Sequence, residues 1–295
     1  MTQEVWLNGA FIPADEAMVP VADRSYLMGD GVFETMRGYG GVIFLLERHL
    51  KRLRFGLTQT RINPRNTLEE AGMACEELMR RNGLEDARVR LTVSRGLPDG
   101  HNTMGDFSQP YLSNMLITAM PIPAAKSGKN KGWKLKTISL PTTGDSFPNV
   151  KFTSYGPNVL ARGLAIDAGC DEALILNAKG RACEGAMSNL FWFKDGCLHT
   201  PSLKEGCLAG VTRELIIRLA RDNKIPVAKK RGRMKRLYEA DEIFMSASVQ
   251  EIAPVRTING NIIGAEFPGP MTVRIQELYR QTVQEYCASR KNTPQ

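Results

Sequence analysis

The sequence predicts an α+β protein of two domains, on three observations. Helical and strand periodicities alternate along the whole 295-residue chain. Apolar residues make up 42% of it, enough to bury a sizeable core. One stretch, residues 121–132 (PIPAAKSGKNKG), holds almost nothing that packs and reads as a linker between an N-terminal domain, 1–120, and a C-terminal domain, 133–295.

The N-terminal part carries two helices and two strands. Val32 to Arg37 reads as a strand. Between Leu45 and Leu57 the side chains Leu46, Leu50, Leu53 and Leu57 share one helical face, and Glu47, Arg48, Lys51, Arg52 and Arg54 occupy the rest. A second helix spans Leu68 to Arg81, with Leu68, Ala71, Cys75, Leu78 and Met79 inward and Asn82-Gly83 as its stop. Ala87 to Ser94 alternates, with Val89, Leu91 and Val93 against Arg88, Arg90 and Thr92, the pattern of a half-buried strand. Beyond the linker, strands are expected at Trp133 to Leu140, Glu172 to Leu176 and Asn189 to Phe193. Asp195-Gly196 then turns the chain into Cys197 to Thr200, and Asn259-Gly260 makes a second such hairpin turn. Phe244 to Ile252 reads as a strand running into a loop. Helices from Thr212 to Arg221 and from Met271 to Cys287 complete the pattern.

Composition excludes several classes of function. The net charge of +8 comes from 39 Lys+Arg against 31 Asp+Glu, but the basic residues are scattered, with small clusters at Lys126 to Lys131 and Lys229 to Lys235. No aromatic-interleaved basic module accompanies them, so a solvated surface is expected rather than a nucleic-acid footprint. The six cysteines lie far apart, without a C-x-x-C pair or a histidine cluster, so no metal site is expected. No apolar run approaches the roughly 20 residues that span a bilayer, and Met1 to Ala10 lacks the pattern of a signal peptide. A reducing cytoplasm is the expected setting.

Several residues could carry chemistry. Lys151, in DSFPNVKFTSYGPNVLA, is by default a solvated charge, but Val150 and Phe152 flank it, and partial burial would lower its basicity toward that of a nucleophilic amine. Glu184, between Cys183 and Gly185 ahead of an apolar strand, is either an ordinary turn carboxylate or a carboxylate that keeps a ring nitrogen protonated. In Leu208 to Glu214 a glycine-containing loop runs into a helix, and free N–H groups at such a start suit a phosphate. Ser248 offers a hydroxyl to the same anion or to a local turn. Arg52 lies on the polar side of its helix. Gly29-Asp30-Gly31 is not a dinucleotide fingerprint, because a strand follows it instead of a helix. His49, His101 and His199 are isolated in sequence and give no support to a histidine triad.

Together these elements resemble the class IV aminotransferases, the fold-type IV enzymes that use pyridoxal 5'-phosphate (PLP). Six ordered blocks carry the resemblance: DRSYLMGDGVFETMR (Asp23 to Arg37), ERHLKRL (Glu47 to Leu53), KFTSYGPNVLA (Lys151 to Ala161), CEGAMSNLF (Cys183 to Phe191), LAGVTRE (Leu208 to Glu214) and FMSASVQEIAPV (Phe244 to Val255). The resemblance implies a smaller N-terminal and a larger C-terminal α/β domain, usually in a homodimer. It implies that Lys151 forms the Schiff base and shuttles protons, that Glu184 partners the pyridine nitrogen, and that Arg52, Val211, Thr212 and Ser248 hold the phosphate. Tyr155 would approach the phenolic oxygen, and Phe33, Arg95 and Val249 would line the substrate pocket. The stretches Glu251 to Gly264 and Gly269 to Tyr279 look like branched-chain aminotransferases, which act on an amino acid and a 2-oxo acid. Val93-Ser94-Arg95-Gly96 looks more like aminodeoxychorismate lyases, enzymes of 4-aminobenzoate and folate synthesis, or D-amino-acid aminotransferases.

Overall fold

A computed structural model describes residues 3–98, 111–122, 132–140 and 149–291. The expected linker at 121–132 lies outside them except at its ends. Clustering of contacts divides the chain into two units. The first comprises Met1–Ile122, Val150–Tyr155 and Tyr286–Gln295; the second comprises Pro123–Asn149 and Gly156–Glu285.

The first unit contains β1 (Glu4–Leu7), β2 (Ala10–Pro13), α1 (Arg24–Met28), β3 (Gly31–Tyr39), β4 (Val42–Ile43), α2 (Leu46–Thr60), α3 (Leu68–Arg81), β5 (Ala87–Ser94), β6 (Leu97–Pro98), β7 (Tyr111–Leu112) and β8 (Met115–Pro121). Among the described residues its main sheet is six-stranded and antiparallel, in the order β2-β1-β8-β5-β3-β4. Period-two alternation puts Val32, Met36, Val89, Leu91, Val93, Met115 and Ile117 into one core with the apolar faces of α2 and α3. Helix α3 starts where Thr67 and Glu70 form a capping box.

Two later segments join this unit, which sequence order alone does not suggest. The strap 150–155 is stitched to β3: Phe33 N–H donates to Lys151 O (3.0 Å), Thr153 N–H to Gly31 O (2.9 Å) and Thr153 Oγ1 to Gly29 O (2.7 Å). Gly29-Asp30-Gly31 serves this approach. A Cβ on Gly29 would come within 2.7 Å of the Ser154 backbone, and its φ of +69° is in the left-handed region. The compact units therefore differ from the expected domains, 1–120 and 133–295, at both places. The other segment is the end of the last helix, where Tyr286 packs edge-on against Phe44 at 5.2 Å.

The second unit contains β9 (Trp133–Ser139), α4 (Gly156–Asp167), β10 (Glu172–Leu176), β11 (Ala182–Gly185), β12 (Asn189–Lys194), β13 (Cys197–Pro201), α5 (Val211–Asp222), β14 (Val227–Lys230), α6 (Met234–Tyr238), β15 (Glu242–Ala247), β16 (Glu251–Ile258), β17 (Asn261–Ile262) and most of α7 (Pro270–Lys291). Its strands form a mixed sheet in the order β11-β10-β9-β16-β15-β12-β13-β14, with β17 paired to β16. Leu135, Leu174, Leu190, Trp192, Met245 and Val255 fill one core; Ala161, Ala165, Ala173, Ile175 and Cys183 belong to another, against α4. Residues 244–252 are not one strand entering a loop: β15 ends at Ala247, and β16 has already begun at Glu251. No helix of the described residues is long and apolar enough to cross a membrane.

Candidate active site

In the first unit the strap and β3 set Lys151 among aromatic rings. Its Nζ lies 4.4 Å from the centre of the buried Phe33 ring and 4.9 Å from that of Tyr155, and it donates to the Tyr155 hydroxyl at 3.4 Å. Phe33 and Tyr155 meet edge to face at 5.4 Å. Val150 packs on the core and Lys151 is half-buried, so it is not the solvated charge its type suggests.

Arg90 is a residue that the sequence reading missed. On β5, its guanidinium carbon lies 3.7 Å from the centre of the Phe33 ring, and its Nε donates to Thr92 Oγ1 at 3.2 Å. Burial lowers its pKa from the usual arginine value, and Arg88 adds to that effect. Among the described residues no carboxylate pairs with it. The only signal in the sequence was a cation on the polar side of a half-buried strand.

Behind Phe33, the next residue of β3 opens a buried cluster. Glu34 accepts from Arg52 Nε at 2.7 Å on one oxygen. On the other it accepts from Arg52 Nη2 at 2.6 Å and meets His49 Nδ1 at 2.7 Å. Glu34 and His49 are each 1% exposed. Burial by itself raises a carboxyl pKa, but the Arg52 guanidinium and the two hydrogen bonds overcome it and hold Glu34 at about 2. Burial lowers the pKa of His49 against the pull of Glu34, so the neutral ring donates from Nδ1. Arg52, expected on the polar side of its helix, is thus mostly buried and tied to β3.

Arg95 is turned to the fold itself. Its Nε and Nη2 donate to Asp30 at 2.8 and 3.1 Å, and its Nη1 and Nη2 reach the carbonyls of Arg61 and Thr60 at 3.2 and 2.8 Å. A guanidinium committed to four acceptors anchors the end of β5 to the end of α2.

In the second unit Glu184 is half-buried on β11. One of its oxygens accepts from Leu208 N–H at 2.8 Å and from Asn189 Nδ2 at 3.3 Å, and the same amide donates to Leu208 O. Glu184, Asn189 and Ser246 form a row across β11, β12 and β15. The N-cap of α5 is Gly210, which supplies no side-chain cap, and a Cβ there would stand 2.0 Å from Asn189 Oδ1. Val211 and Thr212 open that helix, and N–H groups of a first helical turn have no carbonyl partner within it. Ser248 and Val249 occupy the half-buried turn between β15 and β16.

The Amino-transferase class IV family model matches residues 31–258, and the chain belongs to that family, whose members are PLP-dependent. A Methanocaldococcus jannaschii protein with a provisional branched-chain-amino-acid aminotransferase name is 35% identical over 94% of this chain and 95% of its own. The aminodeoxychorismate lyase of Bacillus subtilis is 32% identical over 95% of this chain and 94% of its own. Among solved structures, the Thermoproteus uzoniensis branched-chain aminotransferase with norvaline superposes with a TM-score of 0.86, at 31% identity, over 95% of this chain and 94% of its own.

Proposed function

We propose that this class IV aminotransferase moves the amino group of a branched-chain amino acid to a 2-oxo acid, with PLP carried on Lys151. The observation that carries the proposal is the placement of the Lys151 amine against Tyr155 and Phe33, at the position that the family resemblance gives to the cofactor lysine.

The donor set suits PLP. The Lys151 amine would take the aldehyde and a braced carboxylate, Glu184, the ring nitrogen; for the phosphate the resemblance offers the α5 start at Val211 and Thr212, the Ser248 hydroxyl and Arg52. The Ser246 hydroxyl, buried without a hydrogen-bond partner among the described residues, is an unmet polar group in the same row as Glu184. When bound, PLP supplies an aldehyde for the amino group and a ring that spreads the charge left by the α-proton. Once the incoming amino group has displaced it, the free Lys151 amine would take the proton from the substrate α-carbon, a general-base role worth on the order of 10² to 10⁴-fold. Tyr155 would orient that nitrogen, to which its hydroxyl is already hydrogen-bonded, and Glu184 would hold the proton at the ring nitrogen. Phe33 would be an apolar contact for an aliphatic side chain, the role the family resemblance also gives to Val249, and Arg90 would be a cation for a substrate carboxylate. Arg95 is given no substrate role in this reading, because four hydrogen bonds hold it within the fold.

Borohydride reduction of the PLP-loaded protein and peptide mass mapping should locate the label on Lys151, and a label on another lysine overturns the assignment. Half-reaction spectra should change with L-leucine and not with D-alanine. A second reading, aminodeoxychorismate lyase, is favoured by the Bacillus subtilis relative; pyruvate released from aminodeoxychorismate would establish it.

The proposal includes a homodimer and a cytoplasmic setting. Helix α4 buries only Ala161 and Ala165 and turns Val159, Leu160, Leu164 and Ile166 outward, an apolar face typical of a protein interface. The six cysteines are free, as in a reducing compartment.

A further inference from the structure

We propose that Glu34, backed by His49, is a positioning residue that aims Arg52 at the phosphate; this rests on the PLP reading above. An arginine is a flat fork on a flexible stem, and its value to a phosphate depends on the plane in which it is held. Glu34 takes the Nε and Nη2 edge of Arg52 with both carboxylate oxygens, at 2.7 and 2.6 Å, which fixes that plane. The carboxylate is fixed in turn by burial on β3 and by His49 Nδ1 at 2.7 Å.

Two features favour positioning over a plain stabilising pair. Glu34 follows Phe33 on β3, and neighbouring residues of a strand face opposite sides. One strand therefore sets both the ring under Lys151 and the brace of Arg52. The cluster is also close to electrically neutral, with one guanidinium, one carboxylate and a neutral imidazole. It offers directed donors to an anion rather than net charge.

The two accounts predict effects of opposite sign. Glu34→Gln raises the local charge by one, so Coulomb attraction alone would tighten the binding of PLP. Positioning predicts the reverse. The test measures equilibrium binding of PLP and of pyridoxal, which lacks the phosphate, to the wild type, Glu34→Gln and Glu34→Asp. By analogy with residues that orient metal ligands, Glu34→Gln should weaken PLP roughly 10- to 100-fold and change pyridoxal less than about twofold. PLP binding that is unchanged or tighter overturns the inference, and so does an equal loss of both ligands, which would mark a merely structural residue. If Glu34→Gln does not fold, Glu34→Asp draws the carboxylate back while keeping its charge, and an unchanged PLP-to-pyridoxal ratio there overturns it too. A wild-type protein that binds no PLP would instead sink the functional reading and take this inference with it. Normal wild-type binding with an indifferent Glu34→Gln would sink the inference alone.

Discussion

In the first unit the buried Glu34 and the partly buried Asp30 are matched by guanidinium groups, whereas in the second the buried Glu172 and Glu242 are met by backbone N–H groups and a neutral side chain. Glu34 is held by Arg52, and Asp30 by Arg24 and Arg95. In the second unit, Glu242 caps α7 by accepting from Met271 and Thr272 N–H at 2.9 and 2.6 Å. Glu172 accepts from Ala173 N–H and Ser188 Oγ. The buried Arg213 donates to Thr200 Oγ1 and Pro201 O. Each unit has an exception: Asp23 binds Ser25 N–H, Ser94 Oγ and Asn114 Nδ2, and Glu205 pairs with Arg181 nearer the surface. The contrast has a consequence for function. Paired charges make a stiff frame in which removing one partner strands the other, which suits the strap, β3 and Arg52. Groups satisfied by dipoles lose only hydrogen bonds.

Substitutions can break this comparison. Asp30→Ala leaves the Arg24 and Arg95 guanidinium groups, with side chains 9% and 5% exposed, without their carboxylate. The expected loss is about 3–5 kcal/mol, read from the urea midpoint at neutral pH. Arg213→Met removes a buried cation whose hydrogen-bond partners are neutral, so no ion-paired partner is stranded, and the expected loss is about 1–3 kcal/mol. Equal losses from the two variants would abolish the distinction between the units.

The same physics explains what could be read in the sequence. Helices α2 and α3 and strand β5 were legible because burial follows their periodicity; Leu46, Leu53, Leu57, Leu68, Leu78, Val89 and Leu91 all lie inside. Both hairpin turns were legible because only a few residue types tolerate their geometry: Asp195 and Gly196 have φ of 51° and 71°, Asn259 and Gly260 of 50° and 82°. Helix α4 was not legible, since its small residues face inward and its large apolar ones outward, which inverts the usual stripe. The Asn8-Gly9 hairpin between β1 and β2 carried the same signal as Asn259-Gly260 and went unread. The roles proposed for Lys151 and Glu184 rest on the order of blocks. The Glu34 cluster could not be read that way, because His49 and Arg52 are helix neighbours while their carboxylate arrives from a strand, and only packing joins them.

The smallest expected effect is one of pH, and it sharpens the comparison by its sign. Glu34 is lowered from 4.5 to about 2, so its stabilisation is complete above 4.5 and is lost as pH falls toward 2. His49 is lowered from 6.5, so acidification below 6.5 also costs the first unit stability as the unfolded chain takes up the proton more readily. Glu172 runs the other way. Burial raises its pKa above 4.5, only partly offset by the Ala173 N–H and the charge of Arg162, so the folded state keeps a proton that the unfolded chain gives up. Its contribution is complete below 4.5 and declines as pH rises through the folded value. Glu172→Gln keeps the shape of the protonated form and removes this titration. The variant should gain stability relative to the wild type between pH 5 and pH 8, by less than about 1.5 kcal/mol, the usual net worth of one hydrogen bond. Urea midpoints at the two pH values measure it. A relative gain on acidification instead would mean that Glu172 behaves like Glu34, and the two units would then handle buried carboxylates alike.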